Sequence, residues 1–95
     1  MALKNTYNQQ VSSATVTVVT VTTVPTLICA GNKNRVDLAL YNNSLQTIYL
    51  GYDDAVTTTT GWPLATTEKE SDSTFFGAIY GVVSATTASI IVREK

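Results

Sequence analysis

Seven carboxylates, one thiol and no imidazole are the groups with which this 95-residue chain could do chemistry. Without histidine, the usual general base, metal ligand and pH switch is missing. A Ser–His–Asp triad, a Cys–His pair and a His-containing zinc site are therefore excluded. The single cysteine, Cys29, rules out an intrachain disulfide and every multi-cysteine metal site. It lies in the apolar run Leu27-Ile28-Cys29-Ala30 and reads as a small buried hydrophobe rather than a reactive thiol. Asp37 and the pair Asp53-Asp54 could offer oxygens to Ca²⁺, but a full shell takes roughly six to eight, and no EF-hand spacing occurs. Adjacent acids after a strand more simply make a solvated turn. Glu68, Glu70 and Asp72 could in principle supply a glycosidase acid and base. With Lys69 between them they read as a polar connection, and nothing nearby would raise a carboxyl pKa. No Walker or Rossmann glycine loop is present. No catalytic, cofactor-binding or metal-binding residue is assigned, and an enzyme is not expected.

The elements that would position these groups are strands. Residues Thr15 to Val24 are ten β-branched residues in a row, without charge or proline until Pro25. Branching at Cβ stiffens χ1, disfavours helix and suits a pleated surface. The first strand is expected over Ala14 to Val24 and a second over Thr26 to Ala30, followed by a turn at Gly31-Asn32-Lys33-Asn34. From Arg35, Val36, Leu38 and Leu40 point one way and Asp37, Ala39 and Tyr41 the other. Asn42-Asn43-Ser44 reads as a turn. It also fits the glycosylation pattern, which carries little weight without a signal peptide. Thr47 to Gly51 returns with Ile48 and Leu50 inward. Gly61-Trp62-Pro63-Leu64 is a short strand or bend, and Ala65 to Asp72 a charged connection. Ser73 to Phe76, Ala78 to Ser84 and Ala88 to Arg93 give three more strands. No window shows helical spacing. About seven or eight short strands with turns between them predict an all-β fold, an antiparallel β-sandwich or jelly roll. Residues 1–13 are polar and read as an N-terminal arm, and residues 14–95 as a single β-sandwich domain.

Charged residues make up 14% of the chain, against about 25% in a typical soluble domain. Thr and Ser take their place. Hydrophobic content is 44%, enough to fold, so part of the surface is expected to lie against partners. Residues 1–36 carry Lys4, Lys33 and Arg35 without an acid, whereas residues 37–95 hold all seven acids. Three dispersed cations make no nucleic-acid patch. No run approaches the ~18 apolar residues of a membrane span. The N-terminus lacks the apolar stretch of a signal peptide, so synthesis in a cytoplasm without general secretion is expected.

An uncharged ribbon must be paired or covered, or it aggregates. The expected interface is therefore Leu3, Tyr7 and Val11 on the arm and Val16, Val18 and Val21 on the ribbon. Tyr41, Tyr49 and Tyr52 around one predicted hairpin join them, with Trp62 close behind. Outward aromatics serve a subunit contact, a sugar-stacking platform or plain cross-strand packing.

The segments Arg35-Val36-Asp37-Leu38-Ala39-Leu40-Tyr41-Asn42 and Ile48-Tyr49-Leu50-Gly51 form a recognisable series with later ones. These are Gly61-Trp62-Pro63-Leu64, Ala78-Ile79-Tyr80-Gly81 and the terminal Val92-Arg93-Glu94. Residues 35–95 thereby resemble small β-sandwich virion proteins of tailed bacteriophages, of the capsid decoration (cement) type. Residues 1–34 have no counterpart, and the charged Ala65 to Asp72 stands where the family often has a Gly-rich connection. The resemblance implies a non-enzymatic homotrimer on the capsid surface, made in the host cytoplasm. It would bind the major capsid protein, with no cofactor, nucleic acid or membrane. A receptor- or carbohydrate-binding module of a head fibre or tail is the alternative.

Overall fold

Leu38, Leu40 and Asn42 are buried and Ala39 and Tyr41 half-buried, the period-two pattern of a strand with one face on a core. The computed structural model describes residues 14–95, and within them lie eight strands. These are β1 (Thr15–Val21), β2 (Thr26–Cys29), β3 (Leu38–Asn42), β4 (Ile48–Gly51), β5 (Trp62–Leu64), β6 (Lys69–Asp72), β7 (Ile79–Val82) and β8 (Ala88–Glu94). They form two four-stranded sheets, ordered β1-β8-β3-β6 and β2-β7-β4-β5, with every pair antiparallel. Val21, Leu38, Leu40, Ile90 and Val92 of the first sheet meet Ile28, Ile48, Leu50, Leu64 and Ile79 of the second in one core. The fold is the expected all-β sandwich.

Four local expectations are corrected. The first strand ends at Val21, not Val24. Thr22 turns the chain instead: its amide donates to Thr26 Oγ1, and its hydroxyl bonds the Val24 carbonyl. Its own carbonyl accepts from the amide of Val83, just beyond β7 of the other sheet. Asn42 is not a turn residue but the buried end of β3. The charged connection contains a strand, because Lys69–Asp72 pairs with Leu38–Tyr41. Ser73 to Phe76 forms no strand, since Asp72 Oδ1 accepts from the Thr74 amide and hydroxyl and the Phe75 amide, closing an Asx turn.

The connection from β4 to β5 folds back over the second sheet and seats Val56 on its outside. Gly51 makes room, since a Cβ there would lie 2.6 Å from Val56 Cβ. Thr67 holds φ at 61° in the turn before β6, a backbone region unfavourable for a β-branched residue. Its amide bonds the Asn42 carbonyl. Thr67→Gly removes a strain of about 1–2 kcal/mol against a smaller entropic cost. A net gain near 1 kcal/mol is expected in urea unfolding, and a lower midpoint would contradict it.

Candidate functional site

Four strands end the sheets: β1 and β6 in one, β2 and β5 in the other. Such edges template further pairing unless something blunts them. β5 is three residues long and carries Pro63, which has no N–H to offer. β2 has four residues, follows Pro25 and breaks register between Leu27 and Cys29. β6 turns Glu70 and Asp72 toward the interior, because they pair with the buried Leu40 and Leu38. β1 has none of these devices. It runs seven residues without charge, proline or bulge, and no described strand pairs with its outer edge.

Both faces of β1 are also uncovered near its start. Val16 and Val18 are each 65% exposed on the outer face, and Thr15 and Thr17 are exposed on the other. Register aligns Val18 with Ile91, Tyr41 and Lys69 across the sheet, and Val16 with Arg93, Ala39 and Ser71. Val16, Val18 and Tyr41 thus share one outer surface. Val21 does not belong to it. It is fully buried, because its odd register places it on the core face opposite Ala88. Leu3, Tyr7 and Val11 lie outside the described residues.

The aromatic platform does not assemble. β3 and β4 lie in different sheets, so the link between them crosses the sandwich rather than closing a hairpin. Tyr41 consequently sits outside the first sheet, and Tyr49 outside the second beside Val82 and Pro63. Tyr52 and Trp62 go elsewhere. Trp62 pairs with the inward Leu50, so it leans over the gap between the edge strands β5 and β6.

That gap is a cleft of about 250 Å³. Leu38, Leu40, Leu50 and Ile79 form its floor, with Trp62 and Tyr52 on one wall and Glu70 and Asp72 on the other. Tyr52 is braced by Phe75, ring centroids 4.7 Å apart at 56°. Hydrogen bonds from Thr74 and Phe75 hold the Asp72 carboxyl below its usual range, so Asp72 is charged at neutral pH. The sequence alone predicts a polar, charged connection around Glu70 and Asp72. Only the pairing of β6 with β3 turns them into the sandwich.

Three of the other acids have partners elsewhere. Asp37 faces Arg93 at 3.5 Å, Asp53 Oδ1 caps the Ala55 amide, and Glu68 Oε1 accepts from the Ala65 amide. Among the described residues no three potential metal ligands come together, and no helix is long and apolar enough to cross a membrane.

Cys29 is buried as expected, but within a polar knot. Arg35 Nη1 lies 3.0 Å from Glu94 Oε2 and 3.4 Å from Cys29 Sγ, and Nη2 donates to the Gly77 carbonyl at 2.7 Å. Burial, then the Glu94 carboxylate, push the thiol above its usual 9.0, against the opposing pull of Arg35. The thiol should therefore resist a disulfide reagent at neutral pH until the protein unfolds. Because the folded pKa is raised, this contribution to stability is present below the ordinary thiol range and lost as pH rises through the folded value. Labelling as fast in buffer as in denaturant would contradict the burial.

No family model, curated protein or solved structure matches the chain.

Proposed function

We propose that this chain is a phage capsid decoration (cement) protein that binds between major capsid subunits and stabilises the shell. The observation that carries this reading is β1, a seven-residue uncharged edge that no described strand pairs, in a sandwich whose other described edges are blunted. A neighbouring chain can extend the sheet there, with main-chain hydrogen bonds supplying affinity. Val16, Val18 and Tyr41 on the adjoining face supply the apolar contact. The resemblance of residues 35–95 to cement proteins and the low charge support the same use, with a homotrimer on the capsid surface as the bound form. Such a subunit stabilises a shell by mass action when it binds the assembled lattice and not the dispersed subunits.

The double substitution Val16→Lys, Val18→Lys tests the reading. Charge on an edge strand opposes further pairing, and each lost valine contact is worth about 1.5–3 kcal/mol when fully buried. The variant should keep its β-sheet circular dichroism yet lose at least about tenfold in occupancy on purified particles. Unchanged occupancy would remove β1 from the interface. Light scattering should give a trimer at micromolar concentration, and a stable monomer would count against that assembly. Binding to host cells or to a glycan array without any binding to capsids would favour the receptor-binding alternative.

A further inference from the structure

The cleft between β5 and β6 lies at the opposite edge of the first sheet from β1, and its chemistry is different. Its two carboxylates face two aromatic rings across an apolar floor, and among the described residues no cationic one lines it. Inward acids on β6 repel an acidic strand that pairs along that edge, and an uncharged strand would desolvate them without compensation. A strand carrying cations meets the opposite situation. Residues paired along the outer edge of β6 would alternate in step with Glu70 and Asp72, which occupy adjacent inward rows.

We propose that this cleft and the adjacent edge of β6 bind an extended cationic segment of another protein. One of its Lys or Arg side chains enters between the Glu70–Asp72 wall and Trp62.

Three properties of the site fit that occupant. The rings of Trp62 and Tyr52 attract a cation through their faces, tryptophan most strongly. The apolar floor accepts the methylene stem of a long basic side chain while its charged head stays at the carboxylates. The volume, about 250 Å³, falls below the ~300–1,000 Å³ of pockets that enclose whole small ligands, and it suits one side chain. Main-chain pairing along β6 would supply the rest of the contact, as in other strand-addition complexes. This site does not depend on β1, so either can fail alone.

Trp62 is the single tryptophan of the chain and reports directly on the cleft. The probe is a synthetic peptide, acetyl-Thr-Lys-Val-Lys-Thr-amide, titrated into the full-length protein with Trp62 emission and the Lys69–Asp72 backbone amide resonances as readouts. Saturable changes in both are expected, weakening as salt rises. Glu70→Gln with Asp72→Asn keeps the Asx-turn acceptor and should weaken binding at least about tenfold, a loss of about 1.4 kcal/mol. The proposal is overturned by no saturable change, or by equal binding of a peptide with Glu in place of Lys. Undiminished binding by the double variant also overturns it, as does equal binding of butylammonium, which would make this a small-cation site. Tighter binding of a peptide of residues 1–13, which contain Lys4, would make this chain's own arm the occupant and overturn a foreign partner. Displacement of the lysine peptide by an oligosaccharide would do the same in favour of a glycan.

Discussion

Arg35→Met should cost about 3–5 kcal/mol of stability, the usual consequence of removing one partner from a buried ion pair. A 95-residue chain has roughly 5–14 kcal/mol to lose, so the variant should be largely unfolded at physiological temperature. The geometry explains the size. The Arg35 side chain is 1% exposed, and its two terminal nitrogens join five groups. These are the Ala30, Phe75 and Gly77 carbonyls, the Cys29 sulfur and the Glu94 carboxylate, drawn from β2, from the β6–β7 connection and from β8. Methionine fills much of the volume but leaves a half-buried carboxylate and three carbonyls without their donor. Arg35 Nε already lacks a partner, so the wild-type knot is not fully compensated. The pair Arg35→Met, Glu94→Met removes both charges and should recover about half of the loss. Equal instability of the single and double variants in urea would show that the carbonyls, not the carboxylate, carry the cost.

Asn42→Ala is the second large expectation, at about 2–4 kcal/mol. The Asn42 side chain is fully buried, and its amide nitrogen donates to the Gln46 and Leu64 carbonyls at 2.7 and 2.8 Å. Its oxygen accepts from Ser44 Oγ at 2.6 Å. One side chain thus ties the end of β3 to the crossover beyond it and to β5 in the other sheet. Alanine takes this donor from the Leu64 carbonyl and leaves the Gln46 carbonyl with the Ser44 hydroxyl alone, and a buried carbonyl without a donor costs about 1–3 kcal/mol if water cannot reach it. Asn42→Asp should be worse, since an acceptor would then face two acceptors. A thermal midpoint within a degree or two of wild type for either variant would mean that water replaces the amide.

Period-two alternation made β3, β4 and β8 legible from sequence, because each places large apolar side chains on one face of a single strand. β6 was hidden. Lys69-Glu70-Ser71-Asp72 carries no apolar residue, and its strand character comes only from pairing with β3. Asn42 was misread for a related reason: asparagine favours turns by bonding nearby backbone, and here it bonds carbonyls from two elements beyond its own strand. The ribbon was visible as an edge, but Val21 shows that its final residue belongs to the core. The cleft could not be read in advance. It requires knowing that β5 and β6 end different sheets on the same side, which is tertiary information.

The register of β1 sets a problem in time. Its partner along all seven residues is β8, which lies between β1 and β3 in the first sheet. On a ribosome adding roughly 5–20 residues per second, β8 follows β1 by about 70 residues, or about 4–14 s. The first sheet cannot close during that interval, whatever the second sheet has done. Pairing the earliest strand with the latest also gives the fold a high contact order, so closure is slow even once the chain is complete. The nascent protein therefore presents β1 without its β8 partner until Ala88–Glu94 has emerged. Its yield of folded product should fall steeply with expression rate and temperature, as aggregation competes with the arrival of Ala88–Glu94.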